Sequence, residues 1–191
     1  MKLILLDRDG VINRDSPDYI KSPEEWIPLP GSLEAIARLS RAGWRVVVVT
    51  NQSGLARGLF DAATLDAIHA RMTDAVEAAG GSLQGIYHCP HGPDDGCDCR
   101  KPRPGLFHQV ARDLGIDLTG VPAVGDSPRD IKAATIAGCS PLLVKTGNGA
   151  RALAEGRIPQ GIPVYEDLAE LVQALLRQCP PSQGGPPERS H

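Results

Sequence analysis

Short, mostly apolar runs alternate along the chain with longer segments in which apolar residues recur at helical spacing. The runs predict buried strands at residues 3–6, 45–49, 85–88, 121–124 and 141–144, with a small edge strand at 164–165. The helical segments cover residues 32–42, 61–79, 105–114, 131–137, 150–154 and 167–177. Because strand and helix alternate throughout, the pattern predicts a three-layer α/β fold, in which a parallel sheet with right-handed crossovers lies between helices.

The alternation of strands and helices extends over residues 1–178 without a linker, so we expect a single domain there. Residues 179–191 are rich in Pro, Gly and Ser, which predicts a disordered tail. Residues 14–30 lack periodicity and predict a long loop at the carboxyl end of the first strand, where long loops are often functional. Trp26 either lines the site or anchors this loop, of which we favour the second, and we expect Ser32 to cap the helix that follows.

Polar residues stand at the ends of several predicted strands. The clusters are Asp7 with Asp9, Thr50 with Asn51, Arg100 with Lys101, and Asp126 with Asp130. Because the carboxyl ends of parallel strands share one edge of the sheet, where ligands bind, we expect the four clusters to converge. The carboxylates suit Mg²⁺, and the hydroxyl and the ammonium suit a phosphoryl group. One carboxylate could then act as nucleophile and a second as general acid and base.

A loop at residues 89–99 contains a cluster of metal-ligating side chains. Its members are Cys89, His91, Cys97 and Cys99. Three thiolates and one imidazole form a complete tetrahedral shell for Zn²⁺, and such a shell leaves no open position for chemistry. We therefore interpret the zinc as structural: it would stiffen the loop and hold Arg100 and Lys101 at the predicted site.

Charge and hydropathy oppose several other classes of protein. The formal net charge is −3 and no basic stripe is present, which opposes binding to nucleic acid or to an anionic membrane. No apolar run approaches the roughly 20 residues that a membrane span needs. The run at residues 3–6 is too short for a signal peptide. We therefore expect a cytoplasmic protein, and a monomer, that acts on a small molecule.

In order and position, the polar clusters resemble the motifs of the haloacid dehalogenase superfamily of phosphatases. The matching residues are Asp7-Arg-Asp9-Gly-Val for the first motif, Thr50 for the second, Lys101 for the third and Gly125–Asp130 for the fourth. The resemblance covers nearly all of residues 1–178. It implies a Rossmann-like parallel sheet, to which this chain adds the zinc-binding loop but no large cap domain.

The resemblance also implies roles for the acidic residues. Asp7 would attack phosphorus and become an aspartyl-phosphate. Asp9 would protonate the leaving group and later deprotonate the water that hydrolyses the intermediate. Asp7, the backbone carbonyl of Asp9 and Asp126 would hold Mg²⁺.

Thr50 and Lys101 are the implied ligands of the transferring phosphoryl group. Lys101 would also balance the charge of the carboxylates around Asp7. Two alternatives stay open for Asp130, which either binds the metal through water or orients Lys101.

Within the superfamily, the zinc loop and the small cap resemble the group of histidinol-phosphate and heptose-bisphosphate phosphatases. Residues 50–58 are closer to the heptose enzymes, which serve the synthesis of nucleotide-activated heptose for lipopolysaccharide cores. A sugar bisphosphate needs a second anion site, for which Arg57 and Arg100 are candidates. Three further residues either bind sugar hydroxyls or bond the loop backbone: Asn51, Gln52 and Ser53.

Two alternative functions share the same core, namely hydrolysis of histidinol phosphate and removal of a 3′-phosphate from a polynucleotide. The acidic net charge opposes the second. A third alternative, from outside the enzymes, is a receiver-like signalling domain with an acceptor aspartate, a hydroxyl and a lysine. Receivers keep their phosphoryl group and have no zinc loop, so Asp9 and the cysteine cluster oppose this alternative.

Overall fold

A six-stranded sheet forms the centre of the structure, a computed structural model that describes residues 2–178. The strands are β1 (Lys2–Leu6), β2 (Trp44–Asn51), β3 (Gly85–Cys89), β4 (Pro122–Gly125), β5 (Ser140–Val144) and β6 (Val164–Tyr165). Their order across the sheet is β3-β2-β1-β4-β5-β6, and every neighbouring pair is parallel. The predicted parallel sheet is confirmed, whereas the predicted tail at 179–191 lies outside the described residues.

Helices cover both faces of this sheet. They are α1 (Ser32–Arg41), α2 (Ala62–Ala78), α3 (Gly105–Leu114), α4 (Pro128–Ile136), α5 (Gly149–Ala154) and α6 (Leu168–Gln178), with a short 3-10 turn at Pro23–Glu25. Ile4 and Leu6 of β1 pack with residues of α1, α2 and α6. Leu3 and Leu5 pack with residues of α3 and α4. Because successive side chains of a strand point to opposite faces, these two clusters are the two sides of a three-layer fold, as predicted.

β1 lies in the middle of the sheet, between β2 and β4. The chain first moves outward from β1 to β3 and then returns to β4 on the other side of β1. In open α/β sheets, ligands bind in the crevice where the strand order reverses in this way. The backbone N–H of Asp7, just past β1, donates to the carbonyl of Val124 in β4 at 2.9 Å. The residues that follow β1 and β4 therefore lie side by side at this crevice.

Two local predictions differ from the structure. The N-cap of α1 is Gly31 rather than Ser32, which is the first helical residue. The Ser32 hydroxyl instead donates to the carbonyl of Ile12 at 2.7 Å, and so ties the helix to the segment after β1. Thr50 and Asn51 do not follow β2 but form its last two residues, because their backbone continues the ladder with β3.

The two longest connections, residues 7–22 and 90–104, border the crevice beyond the sheet. Within residues 2–178 neither connection forms a cap domain, in agreement with the predicted fold. Trp26 is 2% exposed and packs in the core, so it anchors the predicted loop at residues 14–30 as expected. Among the helices of residues 2–178, none combines the length and hydrophobicity needed to cross a membrane.

Candidate active site

A cleft of about 330 Å³ opens beyond the carboxyl ends of β1, β2 and β4. Its lining includes all the predicted catalytic, substrate-binding and magnesium-binding residues: Asp7, Asp9, Thr50, Asn51, Gln52, Ser53, Arg57, Arg100, Lys101 and Asp126. The lining also includes residues that did not stand out in the sequence, among them Asp15, Tyr19 and Asn148. The structure thus brings the predicted residues together, while their individual roles stay predictions.

Lys101 is buried at the centre of this site. Its Nζ lies 3.0 Å from Asp7 Oδ1 and 2.6 Å from Asp130 Oδ1, and it donates to the Val49 carbonyl at 2.8 Å. Burial disfavours the ammonium, but the carboxylates of Asp130 and Asp7 together raise the pKa of Lys101 above its ordinary value. Lys101 is therefore cationic at neutral pH and joins the two carboxylates, which is the orienting contact expected as one alternative for Asp130.

Three carboxylates are close enough to share one divalent cation. One oxygen each from Asp7, Asp126 and Asp130 lies within 4.8 Å of the others. Burial, and then the neighbouring Asp130, raise the pKa of Asp7 well above its ordinary value and that of Asp126 to about 7. A divalent cation bound among these carboxylates would stabilise their ionised forms, and an all-oxygen donor set is the one that Mg²⁺ prefers. The residues therefore fit the predicted magnesium ion.

Two glycines leave room for the Asp126 carboxylate. A Cβ added to Gly10 or to Gly147 would lie 2.1 Å from Asp126 Oδ2, and both residues have positive φ. The backbone N–H of Asn148 donates to the same oxygen at 2.8 Å, and its side-chain amide donates to Asp126 at 3.3 Å and to Asp15 at 2.8 Å. Asn148, which the sequence did not single out, thus orients a predicted metal ligand.

The Asp9 carboxylate is held by three side chains. Arg8 donates from Nε to Oδ1 at 3.1 Å and from Nη2 to Oδ1 and Oδ2 at 3.0 and 3.1 Å. Asn13 Nδ2 donates to Oδ1 at 2.8 Å, and Gln52 Nε2 donates to Oδ2 at 2.9 Å. Gln52 also donates to Thr50 Oγ1 at 3.0 Å, so its side chain links the predicted acid to the predicted phosphoryl ligand.

The other predicted substrate ligands lie around the mouth of the cleft. Asn51 exchanges two hydrogen bonds, of 3.0 and 3.1 Å, with the backbone N–H and carbonyl of Lys101, which is the loop-backbone alternative. Arg100 donates to the carbonyl of His91 at 3.2 Å. Arg57 is exposed, and its guanidinium carbon lies 5.9 Å from the centre of the Tyr19 ring. These contacts fix Asn51 and Arg100 to the loop that carries the cysteine cluster.

The predicted zinc ligands come together beside the cleft. Their ligand atoms belong to Cys89, His91, Cys97 and Cys99 and lie within 4.8 Å of one another. Cys89 Sγ is 3.2 Å from Cys99 Sγ and 3.7 Å from Cys97 Sγ, and His91 Nδ1 is 3.2 Å from Cys99 Sγ. Tetrahedral zinc with bonds of about 2.3 Å to sulfur spans ligand atoms about 3.8 Å apart. The four residues therefore have the donor types and nearly the spacing of a structural zinc shell.

Behind Arg8 lies a histidine that the protein buries in its neutral form. His69 Nε2 is 3.3 Å from Arg8 Nη1, and the His69 ring lies 5.7 Å from the ring of His88. Burial, and then the positive charge of Arg8, lower the pKa of His69 to about 3. The imidazole is therefore uncharged at neutral pH and can accept a hydrogen bond from Arg8.

Replacing His69 with Gln should make the free energy of unfolding less sensitive to acid. Unfolded histidine binds a proton below a pKa of about 6.5, whereas folded His69 resists protonation down to about pH 3, so its neutral burial costs stability as the pH falls through this window. Between pH 7 and pH 5 the parent should lose about 2 kcal/mol more unfolding free energy than the variant. Denaturant unfolding at both pH values measures this difference. His108→Gln, at an exposed histidine, is the control, and an equal change in both variants would contradict the assignment.

The fold and the site together define a hydrolase of the haloacid dehalogenase type. An acidic pair follows β1, a hydroxyl lies one residue before the end of β2, and a lysine and a second acidic pair complete the cleft. Comparison with protein families agrees with this class. The HAD-hydrolase-like family model matches residues 98–171, and the model of the polynucleotide kinase 3 phosphatase family matches residues 2–132.

Individual relatives identify the particular family of phosphatases. The D-glycero-beta-D-manno-heptose-1,7-bisphosphate 7-phosphatase of Bordetella bronchiseptica is 61% identical over 179 residues, which cover 94% of this chain and 100% of the relative. The enzyme of the same name from Pseudomonas aeruginosa is 56% identical, covering 92% of this chain and 98% of the relative. The crystal structure of the B. bronchiseptica D,D-heptose 1,7-bisphosphate phosphatase, complexed with magnesium and phosphate, has a TM-score of 0.91 and covers 93% of this chain and 99% of that chain. The chain belongs to the D-glycero-beta-D-manno-heptose-1,7-bisphosphate 7-phosphatase family.

Proposed function

We propose that this protein is a magnesium-dependent phosphatase that removes the 7-phosphate of D-glycero-beta-D-manno-heptose 1,7-bisphosphate. One observation carries the proposal: a chain 61% identical to such an enzyme over that enzyme's full length gathers the carboxylates of Asp7, Asp126 and Asp130 in one cluster, with Lys101 bound to the first and the last. The receiver-like alternative is set aside because the chain belongs to a phosphatase family. The product would serve the synthesis of nucleotide-activated heptose for lipopolysaccharide.

In the first half of the proposed reaction, a carboxylate oxygen of Asp7 attacks phosphorus in line with the sugar oxygen. The bond between phosphorus and that oxygen breaks, and its electron pair stays on the oxygen. Asp9, which lines the cleft two residues further on, gives a proton to this oxygen. The protein is left with an aspartyl-phosphate on Asp7 and an ionised Asp9.

In the second half, water attacks the phosphorus of the aspartyl-phosphate, and Asp9 takes the proton of that water. The bond between phosphorus and the Asp7 oxygen breaks, which releases inorganic phosphate and restores both carboxyl groups. Lys101 stays cationic throughout because it is buried between Asp7 and Asp130. Its charge and the Thr50 hydroxyl bind the phosphoryl oxygens in both halves.

Asp7, Asp126 and the backbone carbonyl of Asp9 would hold Mg²⁺ in this scheme. When bound, the cation neutralises negative charge on the phosphoryl oxygens and on the crowded carboxylates. Asp130 accepts hydrogen bonds from the Ser127 N–H at 3.0 Å and the Ser127 hydroxyl at 2.5 Å. Both bonds go to Oδ2, while Oδ1 contacts Lys101. We therefore assign to Asp130 the role of orienting the lysine.

The second phosphate of the substrate needs a cationic site away from the three carboxylates. Arg57 and Arg100 both line the cleft, and Arg100 is tethered to the zinc loop through the His91 carbonyl. We assign these two guanidinium groups to the 1-phosphate. Polar groups at the end of β2 would contact the sugar, namely Asn51, Gln52 and Ser53. We further propose that residues 1–178 act as one domain, as a cytoplasmic monomer.

A polynucleotide 3′-phosphatase is the second candidate, because that family model matches residues 2–132. The net charge of −3 opposes it, since binding to nucleic acid draws mainly on contacts between cationic side chains and phosphates. The mouth of the cleft also lies beside the loop at residues 14–30, which contributes Asp15. Both features favour a small substrate.

Substrate preference is the direct test of the proposed function. Phosphate release should be compared for the heptose 1,7-bisphosphate, histidinol phosphate and an oligonucleotide with a 3′-phosphate, each with and without EDTA. We expect kcat/KM for the heptose bisphosphate to be at least about 100-fold higher than for the others, because only this substrate fills both anion sites. EDTA should abolish all the activities. Equal or faster hydrolysis of either competing substrate would overturn the proposal.

A further inference from the structure

Arg8, the residue between the two predicted catalytic acids, is completely buried. Its exposed fraction is 0%, which is unusual for an arginine. The guanidinium uses Nε and Nη2 to hold both oxygens of Asp9 and points its third nitrogen, Nη1, at His69 on α2. The side chain therefore connects the proposed acid and base to the helix layer behind the sheet.

Stability alone does not account for this arrangement. Removing an arginine from water costs several kcal/mol, and a buried ion pair commonly returns no more than this cost. A guanidinium fixes the orientation of a carboxylate better than any other side chain, because its planar group of donors binds both carboxylate oxygens at once. A lysine at this position would keep the charge but would not fix the orientation.

The guanidinium is in turn fixed from behind. His69 is neutral at physiological pH, so its Nε2 lone pair accepts the bond from Arg8 Nη1, and its remaining proton is on Nδ1. Asn13 and Gln52 each donate a further bond to the Asp9 carboxylate, to Oδ1 and Oδ2 respectively. Asp9 thus accepts hydrogen bonds from three side chains, and its own side chain, which is 22% exposed, lines the cleft.

We propose that Arg8 is a positioning residue for proton transfer, which holds the Asp9 carboxyl toward the leaving oxygen, and that His69 locks Arg8 in this orientation. The inference rests on the proposed role of Asp9 as general acid and base. Arg8 itself is completely buried and is not among the residues that line the cleft, so it would touch neither the substrate nor the phosphorus. Its effect should therefore appear only in steps that need a proton from Asp9 or to Asp9.

The demand for a proton can be varied through the leaving group. An alkyl phosphate releases a strongly basic alkoxide and needs protonation, whereas a nitrophenyl phosphate releases a stable phenolate and does not. Formation of the aspartyl-phosphate can be followed in a single turnover as release of alcohol or phenol. A residue that positions Asp9 should matter for the first ester and not for the second.

We expect Arg8→Lys to slow alcohol release from the alkyl ester by about 100-fold, because misplacement by about 1 Å has an effect of this size. Release of nitrophenolate should change by less than about threefold, and KM should be unchanged for both esters. Asp9→Asn is the reference and should show the same dependence on the leaving group. Arg112→Lys, at an exposed position of α3, is the matched control and should behave as the parent.

A second pair of variants keeps the test decisive if Arg8→Lys does not fold. His69→Leu removes the acceptor behind Arg8 and should show the same selective loss with the alkyl ester, while His69→Gln restores an acceptor and should recover the rate. Equal losses with the two esters would mean that Arg8 merely supports the structure of the site and would overturn the inference. Because both esters are simple compounds, the result does not depend on whether the natural substrate is the heptose bisphosphate.

Discussion

Replacing Asp7 with Asn should abolish turnover while leaving the protein folded. An amide cannot form the acyl-phosphate, so we expect kcat to fall by at least about 10⁴-fold, the size of loss seen when a nucleophile is removed. Asn has nearly the same shape as Asp. Lys101 would keep its contacts with Asp130 and with the Val49 carbonyl. Steady-state phosphate release with the heptose bisphosphate measures the effect.

The stability of the same variant provides an independent check. In the metal-free protein, burial and the neighbouring Asp130 raise the pKa of Asp7, which means that they disfavour its ionised form. Thermal unfolding in EDTA should therefore give a Tm for Asp7→Asn at or above that of the parent. Asp74→Asn, at an exposed position of α2, is the control and should keep full activity. Full activity in Asp7→Asn would show that Asp7 is not the nucleophile.

The sequence alone predicted the sheet and the convergence of the site because both depend on strong, local patterns. Runs such as residues 45–49 are too apolar to lie anywhere but in a covered sheet. Parallel strands necessarily share one carboxyl edge. Asp7 and Lys101 are far apart in the chain. Asp7 follows β1 and Lys101 lies in the connection after β3, so both are at this edge of the sheet, where their side chains are 3.0 Å apart.

Arg8 could not be predicted in this way, because its environment depends on tertiary contacts. A charged residue that follows a strand is usually solvated. Its partner His69 comes from a helix far along the chain, and nothing local to either residue indicates the pairing. Asn148 escaped notice for a related reason. Its contact with Asp126 depends on β5 lying next to β4, and the sequence pattern does not determine this order of strands.

The partners of the side chains at the end of β2 could not be predicted either, because they depend on the residue at which the strand ends. The sequence left open whether Asn51 and Gln52 contact sugar or backbone. Because β2 continues through Asn51, the Asn51 amide meets the Lys101 backbone. Gln52, one residue beyond the strand, bonds Asp9 and Thr50. One residue more or less in the strand would exchange these partners, since alternate residues point to opposite faces.

The cysteine cluster is the feature whose loss should most affect the stability of the protein. Structural zinc sites contribute apparent binding energies of about 10–16 kcal/mol to folding, and loop 89–99 has no apolar residues other than its cysteines and prolines to replace this contribution. Cys99 is central, because its Sγ lies 3.2 Å both from Cys89 Sγ and from His91 Nδ1. Burial raises the pKa of the Cys89 thiol to about 12, so this thiol ionises only when a cation binds.

Elemental analysis of the purified protein should find about one zinc per chain, and Cys99→Ser should lower this value sharply. We expect the variant to lose about 3 kcal/mol or more of unfolding free energy in denaturant titrations. Activity should fall as well, because Arg100 is tied to the His91 carbonyl and Asn51 to the Lys101 backbone.

Cys139→Ser is the matched control for this experiment. Cys139 is buried but lies outside the cluster, so its replacement should keep the zinc content even if it lowers stability. Zinc content therefore separates loss of the metal from a general effect of replacing a buried thiol. If the parent protein contained no zinc, or were as stable without zinc as with it, the structural role of the loop would be refuted. In that case some other contact would have to hold Arg100 and Lys101 at the cleft.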